Sequence, residues 1–338
     1  MSKLAGIAIA LIAAFGSAPG SAATTFKIAT VSPDGTQWMT RIRAAAEEVA
    51  SRTDKRVQFR FYPGGVMGTD EAVLRKIRAG QLQGGMLAGG SLDSIYADSQ
   101  IYSLPLVFGS FEEVDYVRAR MDALIQQGLE RNGFVSFGLA DGGFAHLFAN
   151  APVRGIDDVR GRKVWLPPND PIARAVFDVV GLSPVTLPLS DVMTGLQTGM
   201  IDTLAVSPVG AVALQWYTRL KYVTDTPLLY TYGTLIIERR AFDKLSPADQ
   251  AVVREVMGKA LQDIDRQNRA DQAGAREALR RQGIEFVAVA PDKLAQWQDA
   301  ARQARERLAA SGVYSREMWD RLQGHIAEFR RKPPGGKR

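Results

Sequence analysis

Cysteine is absent from the 338 residues, and histidine occurs only at His146 and His325. The first absence excludes disulfides, thiol nucleophiles, cysteine-bound metals and a lipidated N-terminal cysteine. The two histidines lie far apart and share no metal-ligand spacing. No H-E-x-x-H, G-x-S-x-G or P-loop pattern occurs, so no enzyme and no cofactor is expected, and His146 reads as a structural histidine in a strand. There is no internal repeat and no Ser/Gly linker. Beyond the first two dozen residues no apolar run reaches transmembrane length, roughly 20 residues, so the processed chain is expected not to be embedded in a membrane. The formal charge of +6 is spread among many acidic residues. It forms no basic face on a recognisable module, which argues against nucleic acid as a partner.

What is present begins with a leader. Lys3 precedes an apolar run from Leu4 to Phe15, Gly16, Pro19 and Gly20 break any helix, and Ser21-Ala22-Ala23 supplies small residues. That order is a secretory signal peptide over residues 1–23, with cleavage expected near Ala23 and Ala22 as the alternative. Export without an anchor points to a periplasm. Removing Lys3 takes the charge from +6 to about +5. The other end, residues 331–338, is basic and rich in Pro and Gly, and is expected to be disordered.

Between these ends the pattern is β-α-β-α-β. Phe26–Val31, Val57–Phe61 and Gly84–Ala88 read as strands, with helices from Trp38 and from Glu71 between them. A helix from Phe111 to Asn132 follows, then two strands, Phe134–Leu139 and Ala145–Ala149, separated by Asp141-Gly142-Gly143. A second α/β block opens near Ala151, where Pro167-Pro168 stops a strand and Asp170 caps a helix with Pro171 in its first turn. From Ser246 no strong breaker occurs until Gly283. A helix of that length, roughly 55 Å, exceeds either lobe and is expected to touch both, with Gly274 a candidate bend. The expected division is 24–143 plus 233–262 for the first lobe, and 144–232 plus 263–330 for the second with the C-terminal helices. A ligand cleft lies between two such lobes.

Five segments in order resemble one family. Phe61-Tyr62-Pro63-Gly64-Gly65-Val66-Met67-Gly68-Thr69-Asp70-Glu71 is similar to its strand-turn-helix segment, and Leu104-Pro105-Leu106-Val107-Phe108 to its "LPFLF" run. Asp157 to Val164 resembles "DLKGLKI", Gly181 to Val185 "GANPV", and Asp191 to Asp202 "EVYTALQQGVVDG". The family is the DctP-type substrate-binding proteins of TRAP (tripartite ATP-independent periplasmic) transporters, and the resemblance covers about Phe26 to Ala290. It implies an α/β, two-lobed, periplasmic binding protein-like fold (type II-like), with hinge strands and a long helix spanning both lobes. It also implies capture of a small-molecule solute and delivery to the TRAP membrane permease subunits, without catalysis. A solute-sensing receptor for a membrane signalling protein, or the binding protein of another uptake system, would look much the same in sequence.

Two positions depart from the family. Where it commonly carries arginines that fork onto a ligand carboxylate, this chain has Ala145 and Trp165. Arg154 and Arg162 are the nearby residues that could replace them. The expected ligand is therefore no simple monocarboxylate held by the usual arginine; an uncharged, cationic or aromatic molecule suits Trp165 and Asp141 better. Asp141 lies where the chain crosses between lobes, Asn169 and Asp170 at a helix start facing the cleft, and Ser207 at another. Glu71 and Asp202 match family positions. Gly89-Gly90-Ser91 can offer backbone donors, and Trp38 completes the candidates. The competing roles are core packing for both tryptophans, capping for Asp170, a solvated turn for Asp141 and structural hydrogen bonding for Asp202.

Overall fold

A computed structural model describes residues 23–331. The leader and the basic tail lie outside these residues, except Ala23 and Arg331, which ends the last helix. The first unit winds as its hydrophobic pattern predicts. β1 (Thr24–Thr30) pairs in parallel with β2 (Val57–Tyr62) and β3 (Gly84–Ala88), joined by α1 (Gln37–Arg52) and α2 (Asp70–Arg78). Met39, Ile42, Ala45, Ala46 and Val49 bury one face of α1, the i, i+3, i+4 stripe of an amphipathic helix. The Thr36 and Thr69 hydroxyls accept from Met39 N and Ala72 N and so cap α1 and α2. Residues Ala97–Ser103 form a 3₁₀ helix ahead of α3 (Phe111–Arg131).

β4 (Phe134–Ala149) is one sixteen-residue strand where two were expected. The Asp141-Gly142-Gly143 break is a register shift within it, and another falls between Ser136 and Leu139. Gly143 adopts φ +83°, a conformation glycine reaches without strain, so the chain bulges there and stays paired.

The second unit grows from the far end of the same strand. β5 (Trp165–Leu166) leads to α4 (Pro171–Val180) and pairs in parallel with β6 (Val185–Thr186). α5 (Val192–Gln197), β7 (Thr203–Val206), α6 (Pro208–Ala213) and β8 (Tyr222–Thr224) follow. β7 pairs antiparallel with His146–Ala149, and β8 with Phe148 and Ala149. β9 (Leu229–Glu238) then returns antiparallel between β3 and β4. With β10 (Glu285–Val287) parallel to β8, the sheet order is β10-β8-β4-β9-β3-β1-β2, and β7 pairs with β4 off that path. β4 and β9 are thus the strands that connect the two lobes.

After the short α7 (Arg239–Phe242), α8 (Pro247–Arg281) is a single helix of 35 residues that runs unbroken through Gly274. It is roughly 52 Å long at the standard rise. Near its start Arg52 of α1 pairs with Glu255, and near its end Arg276 pairs with Asp225 beyond β8. α9 (Pro291–Ala310) lies on α4. α10 (Arg316–Arg331) crosses back onto the first lobe: Arg330 pairs with Glu113 of α3, Phe329 packs on Tyr116, and Ser315 N donates to Asp98. The expected division had put this stretch with the second lobe. An amphipathic helix after a short turn carries no mark of which neighbour its apolar face will find.

Candidate functional site

A cavity of about 690 Å³ lies between the two units. Its first-lobe wall includes Glu71 and Gly89-Gly90-Ser91, its second-lobe wall Trp165, Asn169, Asp170 and Ser207, and Ala145 of β4 lies between them.

Local structure places each of these. Thr69 caps α2 and donates to Glu71 Oε2 at 3.2 Å, and the neighbouring Asp70 Oδ2 accepts from Ala88 N at 3.0 Å, which ties the helix start to the end of β3. Residues 89–91 form one 3₁₀ turn. A Cβ on Gly89 would come within 2.3 Å of the Tyr232 ring, whose hydroxyl is held on Ser99 O at 2.8 Å, so only glycine lets this turn close on β9. Asp170 caps α4, its Oδ1 accepting from Ala173 N at 2.9 Å. Asn169 before it sits at φ +55°. Ser207 caps α6 by accepting from Gly210 N. Trp165 is 8% exposed. Its Nε1 donates to Leu187 O at 2.8 Å and its ring meets Trp216 edge-on at 5.5 Å. The residue is core packing and cavity wall at once.

Three candidates do not line the cavity. Trp38 is half-buried against the core beside Gly233 of β9. Asp202 Oδ1 accepts from Lys163 N and Thr203 Oγ1, a structural role between β5 and β7. Asp141 is fully buried in the connecting strand: its N–H donates to Asp265 at 2.7 Å, its carbonyl accepts from Asn268, and its carboxylate lies 3.6 Å from Arg269. The bulge that glycine permits turns this residue toward α8. Arg154 is exposed, with its N–H on Asp158, and Arg162 is tied to Asp158 O at 2.6 Å. Neither lines the cavity, so neither replaces an arginine there.

The remaining wall is mostly apolar, with Phe177, Leu182 and Trp216 from the second lobe and Trp297 from α9. Gln100, fully buried, donates through Nε2 to Gly90 O at 2.7 Å, while its Oε1 has no partner. Trp297 Nε1 is likewise buried without a partner. Among the described residues the charged groups of the lining are Glu71, Asp93 and Asp170, with no arginine, lysine or histidine. Burial pushes the Asp170 carboxyl above its usual range, and the charge of Asp93 adds to this. Asp93 is more exposed and is raised by burial and then by Glu71. Asp93, Gln100, Trp216 and Trp297 were not singled out from sequence. Gln100 had no local signal, since it enters the wall only through the 3₁₀ helix after Tyr96.

A family model, the bacterial extracellular solute-binding protein, family 7 (DctP), matches residues 28–311. The chain belongs to this family. DctP family proteins are periplasmic and bind solutes. Among curated relatives, this DctP chain is 25% identical over 278 residues to the C4-dicarboxylate-binding periplasmic protein DctP of Rhodobacter capsulatus, covering 79% of this chain and 81% of that one. Its fold matches a TRAP periplasmic solute-binding protein of Ochrobactrum anthropi, with a TM-score of 0.77, 24% identity and coverage of 91% and 96%. It also matches the Bordetella pertussis extracytoplasmic solute receptor DctP7, which binds pyroglutamic acid, with a TM-score of 0.81, 20% identity and coverage of 90% and 100%. The expected fold class, two α/β lobes joined by crossing strands, is the one observed. Among the described residues no helix is long and apolar enough to cross a membrane.

Proposed function

We propose that this DctP family protein encloses a small organic solute between its lobes in the periplasm and delivers it to TRAP-type permease subunits, without turning it over. The lobes of this reading are 24–143 with 233–262, and 144–232 with 263–315, α10 being assigned to the first. The observation that carries the reading is the cavity of about 690 Å³ walled by both units, a volume typical of small-molecule sites. A solute that touches both walls favours the closed form, because only there does it make both sets of contacts. The named relatives bind a C4-dicarboxylate and pyroglutamic acid, both organic acids. The present wall, without a basic side chain among the described residues and with Ala145 and Trp165 where the family resemblance expects arginines, favours a different head group. Of the twelve residues expected to bind, Glu71, Gly89, Gly90, Ser91, Ala145, Trp165, Asn169, Asp170 and Ser207 stay in this reading.

The test combines native mass spectrometry of the purified protein with small-angle scattering across a solute panel of acids, amines, alcohols and polyols. One solute retained at unit stoichiometry, with a smaller radius of gyration when it is bound, is expected. If no solute in the panel or in the purified protein binds or compacts the chain, solute capture is refuted.

A further inference from the structure

Among the described residues the cavity wall carries carboxylates and no positively charged side chain. Glu71 and Asp93 belong to the first lobe and Asp170 to the second. All three line the one cavity, Glu71 and Asp93 from one side and Asp170 from the other, and the charge of Glu71 acts on Asp93 and that of Asp93 on Asp170. On the first-lobe side Gln100 is fully buried, and because Nε2 is committed to Gly90 O, Oε1 is an acceptor with no hydrogen-bond partner among the described residues. A buried acceptor in that state has lost its water and gained nothing in return. At the far end Trp297 Nε1 is a lone donor and carries no charge. Most of the surface between is apolar: Val176, Phe177, Leu182, Leu189, Leu214 and Trp216.

Resting on the solute-capture reading, we propose that the ligand is an organic cation: an ammonium or similar donor-bearing head between Asp93 and Asp170, carried on an apolar body that fills the rest of the cavity. A carboxylate ligand would bring a fourth negative charge beside three in a wall without a basic side chain among the described residues; Arg305, which donates to Pro105 O, stands behind that wall and does not line it. A polyol would leave the apolar walls uncovered. A bare metal ion does not fit either, since among the described residues no three acidic or histidine side chains converge as ligands, and the cavity is far larger than an ion. The same geometry couples the head group to closure. Like charges on opposite lobes resist approach when the cleft is empty, and a cation between them reverses the sign of that interaction.

The test is calorimetric titration with matched sets in which only the head group differs, such as 4-phenylbutylamine, 4-phenylbutanol and 4-phenylbutyrate, extended to bulkier apolar bodies. Amines are expected to bind more tightly than their alcohols, and acids not at all. Asp170→Asn keeps an α4 cap, because asparagine caps as well as aspartate, and Asp93→Asn serves as the second variant. Each should weaken amine binding by roughly 10-fold or more, and by at least several-fold more than it weakens alcohol binding. Amines that bind no better than alcohols, or amine affinity unchanged in both variants, overturns the cation assignment. Tight binding of an acid or a neutral solute with compaction would overturn it too, while solute capture itself would stand. Failure of every solute to bind or compact the chain would remove both.

Discussion

Arg118 is the residue on which the junction of the lobes turns. It is nearly buried and forks onto Asp122, reaches Asp265 of α8 at 2.6 Å, and donates to Tyr230 Oη and Leu139 O. Removing one member of such a network leaves buried charge without a partner. Arg118→Ala should therefore cost about 3–5 kcal/mol, read as a lower urea midpoint; a loss below about 1 kcal/mol would mean the network is no more than a surface pair. His146 gives a pH signature. Burial lowers its pKa, the charge of Arg276 acts the same way, and Asp225 with the carbonyls of Thr224 and Thr226 opposes. The unfolded chain thus takes up this proton first as pH falls below about 6.5. The contribution of His146 to stability is complete above that pH and declines from there down to the lowered folded value. The raised carboxyls of Asp141 and Asp170 act with the opposite sign, losing stability as pH rises from the unfolded carboxylate value. The measurement is therefore a difference: melting temperature between pH 7.5 and 5.5 for the natural chain and for His146→Gln. The variant should show the shallower decline, and equal slopes would show that His146 is not the group responsible.

At the scale of elements, helix starts were legible where a proline follows a short polar residue: Asp170 and Ser246 cap the helices they precede. Thr36, Thr69, Ser110 and Ser207 also cap, which the structure shows and the sequence reading had not singled out. Ser246 starts α8, its Oγ accepting from Asp249 N at 3.1 Å, and Asp249 in turn pairs with Arg56 at 2.9 Å. Ser246→Ala should cost about 1 kcal/mol, read by chemical denaturation; an effect under a few tenths would show that the Asp249–Arg56 pair holds the end alone. Strands were less legible. The double glycine after Asp141 reads locally as a turn, yet β9 runs alongside and supplies partners on both sides of it: Asp141 pairs with Tyr232 and Gly143 with Thr231. A residue left over between two such pairs makes a bulge, and which outcome holds depends on a strand some 90 residues away.

For the whole molecule, the unity of the fold rests on elements that belong to both lobes: β4, β9, α8, and the pair α9 and α10, one on each lobe. Unfolding in urea is therefore expected as one transition, with helix content by circular dichroism and tryptophan fluorescence changing together. Trp38 reports on the first lobe and Trp165 and Trp216 on the second, so separated midpoints would show that the lobes unfold independently. The sequence by itself determined most of the elements, the caps at Asp170 and Ser246, the α/β order, the long helix and the family, because these follow from periodicity, capping chemistry and short ordered motifs along one stretch of chain. Tertiary structure alone decided that Asp141 faces α8 and that Gln100 and Trp297 reach the cavity. It also decided that α10 packs on α3 and that, among the described residues, no basic side chain joins the wall. The physical reason is that a strand or helix specifies which of its faces is apolar, whereas which distant element covers that face, and which polar groups are thereby left around an enclosed space, depends on how all the elements pack at once.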